Sequence, residues 1–298
     1  MKILRLSSLI LILILSSCTS EENHPVYQES DTDAINPESG FEVSVEKDML
    51  SFPTRADYDA AIAELGTMDS DQFELWEAKI GFASMRSITS TEHRASIGIE
   101  DDLLATLLNQ DAIIKIGDYI YRVDIPNEEV HVLGASAYAN KNSFSAGKQQ
   151  SLSIHENVLD VVAGLEQPMS QSERSRYCSK RKLSWNTAAN LLSAKIVYQK
   201  AGILNSLQSK IQQDKVNIFN LGLKTNGTNN FWRNKKKSGT IGPYETTFFV
   251  AETKSYRPYY SSRRLRAYHF SVEFRAQDKN FAGTSNGMIT KVLTIDCN

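Results

Sequence analysis

The apolar residues of this chain change their spacing once, and that change sets the fold class. Between residues 54 and 109 they recur at intervals of three and four: Tyr58, Ala61, Ile62 and Leu65; then Phe73, Trp76 and Ile80; then Leu103, Leu104, Leu107 and Leu108. Side chains spaced this way share one face of a helix. After Trp185 the spacing falls to two, as in Tyr268, Phe270, Val272 and Phe274 or Ile289, Lys291, Leu293 and Ile295, and Gly, Asn and Ser turns separate the runs. Helices gathered in one part and strands in the other make an α+β protein. The expectation is a small helical region with a β-hairpin, followed by an antiparallel β-sandwich-like or barrel-like domain.

Local signals place the elements. Thr54 is the expected N-cap of the first helix, with Asp57 completing a capping box, and Gly66 ends it. The second helix starts at Asp69-Ser70-Asp71 and stops at Gly81, and a third spans 99–109 with Glu100, Asp101 and Asp102 in its first turn, where the helix dipole favours acids. Two β-rich runs around Gly117-Asp118 predict a hairpin, and 130–133 adds a short strand. Further on, strands are expected at 194–200, 203–211, 216–223, 245–253, 265–275 and 288–295. Residues 191–211 also fit one long helix, through Ile196, Lys200, Ile203, Leu207 and Ile211, so both readings stay open there.

The first 17 residues stand apart from the fold. Lys2 and Arg5 precede an apolar run, and Ser16 and Ser17 follow it. That order is a secretory signal peptide, too short to span a bilayer as a mature helix. Leu15-Ser16-Ser17-Cys18 resembles the bacterial lipobox, which implies that Cys18 becomes a lipidated first residue and a membrane anchor. Glu21 and Glu22 next to it resemble the signal that carries Bacteroidetes lipoproteins across the outer membrane, although an ordinary solvated tether has the same composition. The organisation read from the chain is a signal peptide at 1–17, a flexible acidic tether at 18–40, a mostly helical α+β region at 41–165, a polar linker at 166–183 and a β domain at 184–298.

Several segments carry a resemblance to uncharacterised Bacteroidetes lipoproteins. They are the helical pair, Phe82-Ala83-Ser84-Met85-Arg86, Ile116-Gly117-Asp118-Tyr119-Ile120-Tyr121, Tyr198-Gln199-Lys200-Ala201-Gly202, Ser206-Leu207-Gln208-Ser209-Lys210 and the Tyr260-Ser261-Ser262 segment before Leu265. The resemblance implies an outer-membrane, lipid-anchored location, with exposure on the cell surface as one form of it. Its motifs are packing and turn patterns, so it transfers no catalytic residue.

With Cys18 assigned to lipid, Cys178 and Cys297 are an even pair in an exported chain, either disulfide-bonded or two separate thiols. Charge is divided unevenly: 28 acidic against 9 basic side chains in residues 18–170, and 7 against 22 in residues 171–298. In the basic part, cations alternate with aromatics twice, at Trp232, Arg233, Lys235, Lys236 and Lys237 and at Arg257, Tyr259, Tyr260, Arg263 and Arg264. Cations beside rings can hold phosphates or sulfates while the rings stack on sugars, and a solvated loop beside an inward-packing turn is the alternative. The partners expected are therefore the membrane, through the lipid, and an anionic glycan, lipid headgroup or envelope component rather than nucleic acid.

Catalytic signals are absent from the sequence. Histidines at 24, 93, 131, 155 and 269 lack metal-site spacing, no glycine-rich phosphate loop or Gly-x-Ser-x-Gly elbow occurs, and no cofactor is implied. The composition, 41% apolar and 23% charged over 298 residues, excludes a disordered chain, a collagen and a multipass membrane protein. The leading expectation is a non-enzymatic, lipid-anchored envelope protein that binds through a basic aromatic face. Its rival is an envelope hydrolase acting on glycan or peptide, with a site assembled only by the fold.

Overall fold

A computed structural model describes residues 40–145, 147, 149–179, 181–187, 191–214, 219–235, 238–246, 249–278 and 288–297. Residues 1–39, which include the expected signal peptide, Cys18 and nearly all of the expected tether, lie outside the described residues. In chain order come β1 (Ser44–Glu46), β2 (Met49–Phe52), α1 (Arg55–Leu65), α2 (Ser70–Ile80), α3 (Met85–Ile88), α4 (Thr91–Ser96) and α5 (Asp102–Leu107). They are followed by β3 (Ile113–Ile116), β4 (Tyr119–Asp124), β5 (Glu129–Gly134), β6 (Gln150–Ser153), α6 (Val158–Val162) and α7 (Gln171–Arg174). The β-rich part holds β7 (Arg181–Asn186), β8 (Leu192–Lys200), β9 (Asn205–Gln213), β10 (Phe219–Thr225), β11 (Asn229–Trp232) and β12 (Ser238–Ile241). It ends with β13 (Phe249–Val250), β14 (Thr253–Ser261), β15 (Ala267–Asp278) and β16 (Met288–Cys297). The α+β class is as expected: a helical and hairpin region, then antiparallel sheets curled about a core.

In the first region β1 to β6 form one sheet in sequence order. The one parallel pairing in it, β2 with β3, is bridged by the five helices α1 to α5. A parallel neighbour needs such a long crossover, whereas the antiparallel β3–β4 pair closes through Gly117-Asp118 as predicted. Caps set the helix ends. The Thr54 hydroxyl oxygen accepts from the Asp57 amide at 3.2 Å, and the Asp57 carboxylate reaches back to the Thr54 hydroxyl at 2.6 Å while also accepting from the Glu42 amide at 3.0 Å. Complete capping boxes occur in α2, between Asp69 and Gln72, and in α7, between Ser170 and Glu173.

Gly81 closes α2 in the left-handed region at φ 66°, where a glycine is favoured. Gly66 ends α1 at an ordinary φ of −60°, so it is required for a different reason. A Cβ there would overlap the ring of Tyr260 on β14. The third helix is shorter than predicted, since Asp101 caps it and Leu108 is already extended, and α3 and α4 were not legible in the apolar spacing.

Residues 191–211 resolve into two strands, β8 and β9, joined by a turn at 201–204. Leu192, Ala194, Ile196 and Tyr198 face a core shared with Leu221, Leu223, Tyr268, Phe270, Val272 and Phe274. That core lies between the sheet β14-β9-β8-β7 and the sheet β12-β11-β15-β10-β13, whose β15 also pairs with β16. The predicted strand at 245–253 is misplaced. Described residues there show a single bridge at Glu245 and the two-residue β13, and the long strand begins at Thr253. Its signal was masked by Pro258, which sits where the β14–β9 register slips between Tyr256 and Tyr259, a bulge that needs no amide hydrogen from it.

The β8–β9 turn also ties the two parts together. Ala201, Ile203 and Leu204 belong to the core of the helical region, and the Tyr58 hydroxyl donates to the Ile203 carbonyl at 3.3 Å. Cys178 and Cys297 form a disulfide with their Cα atoms 5.8 Å apart, joining the segment after α7 to the end of β16.

Candidate functional site

The sheet β14-β9-β8-β7 has one apolar face and one cationic face, because its strands alternate. Lys195 on β8 and Lys210 on β9 are direct cross-strand neighbours, with Lys182 on β7 and Arg257 on β14 flanking them. Cross-strand like charges repel, so this face needs anions. Three consecutive acids supply them. Glu100 pairs with Lys182 at 2.9 Å and Lys195 at 3.3 Å, and Asp102 pairs with Lys210 at 3.3 Å and Arg94 at 3.0 Å. Asp101 takes Arg257 at 2.7 Å, caps α5 by accepting from the Leu103 amide, and accepts from the Ser206 hydroxyl.

All three acids are buried. Burial raises the carboxyl pKa of Asp102, yet Lys210, Arg94 and Arg257 outweigh it and bring it down to about 2. Lys195 is lowered by its own burial, with Lys210 and Lys182 adding to that and Glu100 opposing it. Part of the charge asymmetry of the sequence is thus neutralised inside the molecule, where these three acids meet the basic sheet.

The same contacts redistribute the residues expected to form a basic aromatic face. Arg257 is spent on Asp101 and on the Gly66 carbonyl. Arg264 is buried, faces Glu166 at 3.7 Å and lies 4.1 Å over the Tyr177 ring. Tyr259 is buried too, its hydroxyl donating to the Arg263 carbonyl. Arg263 itself is exposed, and among the described residues it has a loose pairing to Asp160 at 3.6 Å. Arg233 stacks on Tyr259 at 5.6 Å, Trp232 is half-buried and Lys235 is exposed. Lys236 and Lys237 lie outside the described residues.

Arg233 and Arg263, thirty positions apart in the chain, meet at a pocket of about 260 Å³ whose wall includes Tyr260 and Asp59. Tyr260 also borders a groove of about 1050 Å³ between the helices and the sheet. The groove floor is β14 from Thr253 to Pro258, and its walls include Gln72, Arg86, Arg94 and Tyr244. Tyr244 and Tyr256 stack there with centroids 3.7 Å apart and planes 5° from parallel. Arg94 is buried at the groove wall with its Nε and Nη1 lacking a protein partner. One strand therefore runs from a polar, tyrosine-walled groove to a cationic corner, and Gly66 allows the passage because only a glycine leaves room for Tyr260.

Two arrangements bear on hydrolysis. His131 on β5 and Ser151 on β6 are cross-strand partners, with Nδ1 and Oγ 2.9 Å apart. Nε2 of the same ring lies 3.8 Å from Asp124 and 3.7 Å from Glu129, beyond hydrogen-bond reach, so no carboxylate fixes the imidazole. Buried Lys200 donates to the Cys178 carbonyl at 2.6 Å and to His155 Nδ1 at 3.0 Å, and His155 Nε2 faces Glu128 at 3.3 Å. The Cys178 sulfur is held in the disulfide, so it is not a nucleophile beside His155. Among the described residues no cluster of His, Cys, Asp and Glu suits a metal.

Burial brings Lys200 down to about 7, with Arg264 adding to the effect and Glu128 opposing it. In the unfolded chain the amine keeps its proton up to about pH 10. The unfolded state therefore binds more protons between about pH 7 and 10, and stability rises with pH across that window, by at most about 1.4 kcal/mol per unit from this group. Urea midpoints at successive pH values should climb less steeply in Lys200→Met than in the parent, and equal slopes would contradict the assignment.

No known protein family matches the chain, and neither does any curated protein. A solved structure, that of a DUF4848 family protein from Bacteroides thetaiotaomicron VPI-5482, is similar over 85% of this chain and 100% of its own, at 9% identity and a TM-score of 0.22.

Proposed function

We propose that this chain is a lipid-anchored protein of a bacterial cell envelope that binds an anionic glycan along β14. The leader and Cys18 support the location. The ligand reading rests on one observation: the groove and the Arg233–Arg263 corner share Tyr260 and are floored by one strand and the turn after it. Ligand sites favour such clefts between structural units, where a few polar groups orient a largely enclosed ligand. Here the groove offers tyrosine rings, amide and hydroxyl groups for successive sugars. The corner offers two guanidinium groups for a carboxylate or sulfate substituent.

A hydrolase remains the second reading, favoured by the Ser151–His131 pair alone. An array of envelope glycans presented to the chain from residue 19 onward tests both. The expected outcome is retention of uronate- or sulfate-bearing oligosaccharides without turnover, weakened at least about tenfold by Arg233→Ala together with Arg263→Ala, since charged contacts of this kind are worth about 1.5–3 kcal/mol. Retention that these substitutions leave unchanged sinks the proposal. Release of shortened products that stops in Ser151→Ala supports the hydrolase instead.

A further inference from the structure

On another face of the β-rich part, a pocket of about 500 Å³ opens beside the disulfide. Arg174, Arg176, Arg181 and Arg266 line it with His155 and Tyr177, and no carboxylate is among its lining residues. The sequence gives no warning of this, because the four arginines come from α7, the segment after it, the start of β7 and the entry to β15. The fold draws them together through the Cys178–Cys297 bond, whose two ends flank the cluster.

Two of the four guanidinium groups have internal duties. Arg174 reaches Glu156 at 2.9 Å, leaving its buried Nε without a protein partner, and Arg181 donates to the Asp296 carbonyl at 2.6 Å. The side chains of Arg176 and Arg266 have no hydrogen bond or contact ion pair among the described residues. Glu173, the acid nearest Arg176 in sequence, accepts from the hydroxyl and amide of Ser170 and acts on Arg176 only through space, without a contact ion pair. Of the four, Arg266 lies 5.9 Å over the Tyr177 ring, which the neighbouring Arg264 also covers at 4.1 Å. His155, at the pocket wall, is held between Lys200 at 3.0 Å and Glu128 at 3.3 Å.

Like charges held this close repel one another unless an anion sits among them, and a concave wall of one sign concentrates that anion. Guanidinium forks match the paired oxygens of phosphate and sulfate, which makes arginine the residue of choice for such groups. We infer that this pocket is a binding site for a tetrahedral oxyanion, a phosphate or sulfate, separate from the glycan site on β14.

Calorimetric titration of the chain from residue 19 onward with inorganic phosphate, sulfate and a hexose 6-phosphate, each at constant ionic strength set by chloride, tests this directly. Saturable binding of phosphate or sulfate is expected, weakened at least tenfold by Arg176→Gln and by Arg266→Gln and unchanged by Arg233→Gln. Arg176 is exposed, so its substitution leaves folding intact and reads the site alone. Tighter binding of the hexose 6-phosphate than of inorganic phosphate identifies an anion presented on a sugar, and equal binding identifies the free anion. The absence of saturable binding, or binding that both pocket variants leave unaltered, overturns the inference. Because Arg233 serves only the β14 site, the two proposals fail independently.

Discussion

Replacing Arg257 with alanine should destabilise the protein by about 3–5 kcal/mol, the usual cost of leaving a buried ion with no partner. Arg257 and Asp101 are both almost fully buried, so neither charge can recover hydration in place of its partner. Asp101 would keep the Ser206 hydroxyl and the Leu103 amide, which solvate it only in part. Asp101→Asn should cost a similar amount, since asparagine preserves the helix cap but leaves the guanidinium uncompensated. The double variant Asp101→Asn, Arg257→Met should then lose markedly less than the two single losses combined, because removing both charges also removes the desolvation penalty. Urea unfolding of the four chains measures this. Additive losses would mean that the pair is not coupled and that the interface is held by its apolar contacts.

Removing the disulfide should have an effect of the same size. Cys178 and Cys297 are 119 residues apart, and closing a loop of that length in the unfolded chain is worth about 5 kcal/mol by chain entropy. Cys178 is fully buried, so reductant should act on the folded protein slowly and mainly through unfolding. The double variant Cys178→Ser, Cys297→Ser should show a lower denaturant midpoint than the parent, and added reductant should bring the parent down to it. A loss below about 1 kcal/mol would mean that the crosslink constrains little in the unfolded chain. The oxyanion pocket should suffer with it, since the bond positions the segment carrying Arg176 against the strand entry carrying Arg266.

What was legible in the sequence followed from local rules. Thr54, Asp69 and Gly81 mark helix ends through capping chemistry that needs no distant partner, and the alternation of Tyr268, Phe270, Val272 and Phe274 marks β15 because one face of it must be buried. Pro258 misled the reading of β14, since only the partner strand reveals that a bulge accommodates it. The candidate site was legible in composition but not in arrangement. Alternating cations and aromatics identified Arg233, Tyr260 and Arg263, which converge, and equally Arg257 and Arg264, which turn inward to Asp101 and Glu166. Nothing in the spacing separates the two groups, because the acids that claim Arg257 and Arg264 lie about a hundred or more residues earlier in the chain. The acidic triplet carried the clue: three adjacent carboxylates at the start of a leucine-rich helix must either face solvent or meet a cationic surface.

The arginine pocket needed the fold. Its members are ordinary surface cations in sequence, and only the disulfide and the β15–β16 pairing place them around one space. By contrast, the groove along β14 depends on a single residue that the sequence displayed for another reason. Gly66 looked like a helix stop, and its structural role is to let Tyr260 cross the end of α1 and join groove to corner.

Hydrogen exchange of the chain, with and without an anionic oligosaccharide retained on the glycan array, most directly tests whether β14 is the ligand's floor. Slowed exchange should appear in residues 253–263 and in the 66–72 segment across the groove, while residues 174–179 around the arginine pocket stay unchanged. Protection confined to any other surface, with 253–263 unaltered, would contradict the proposed function.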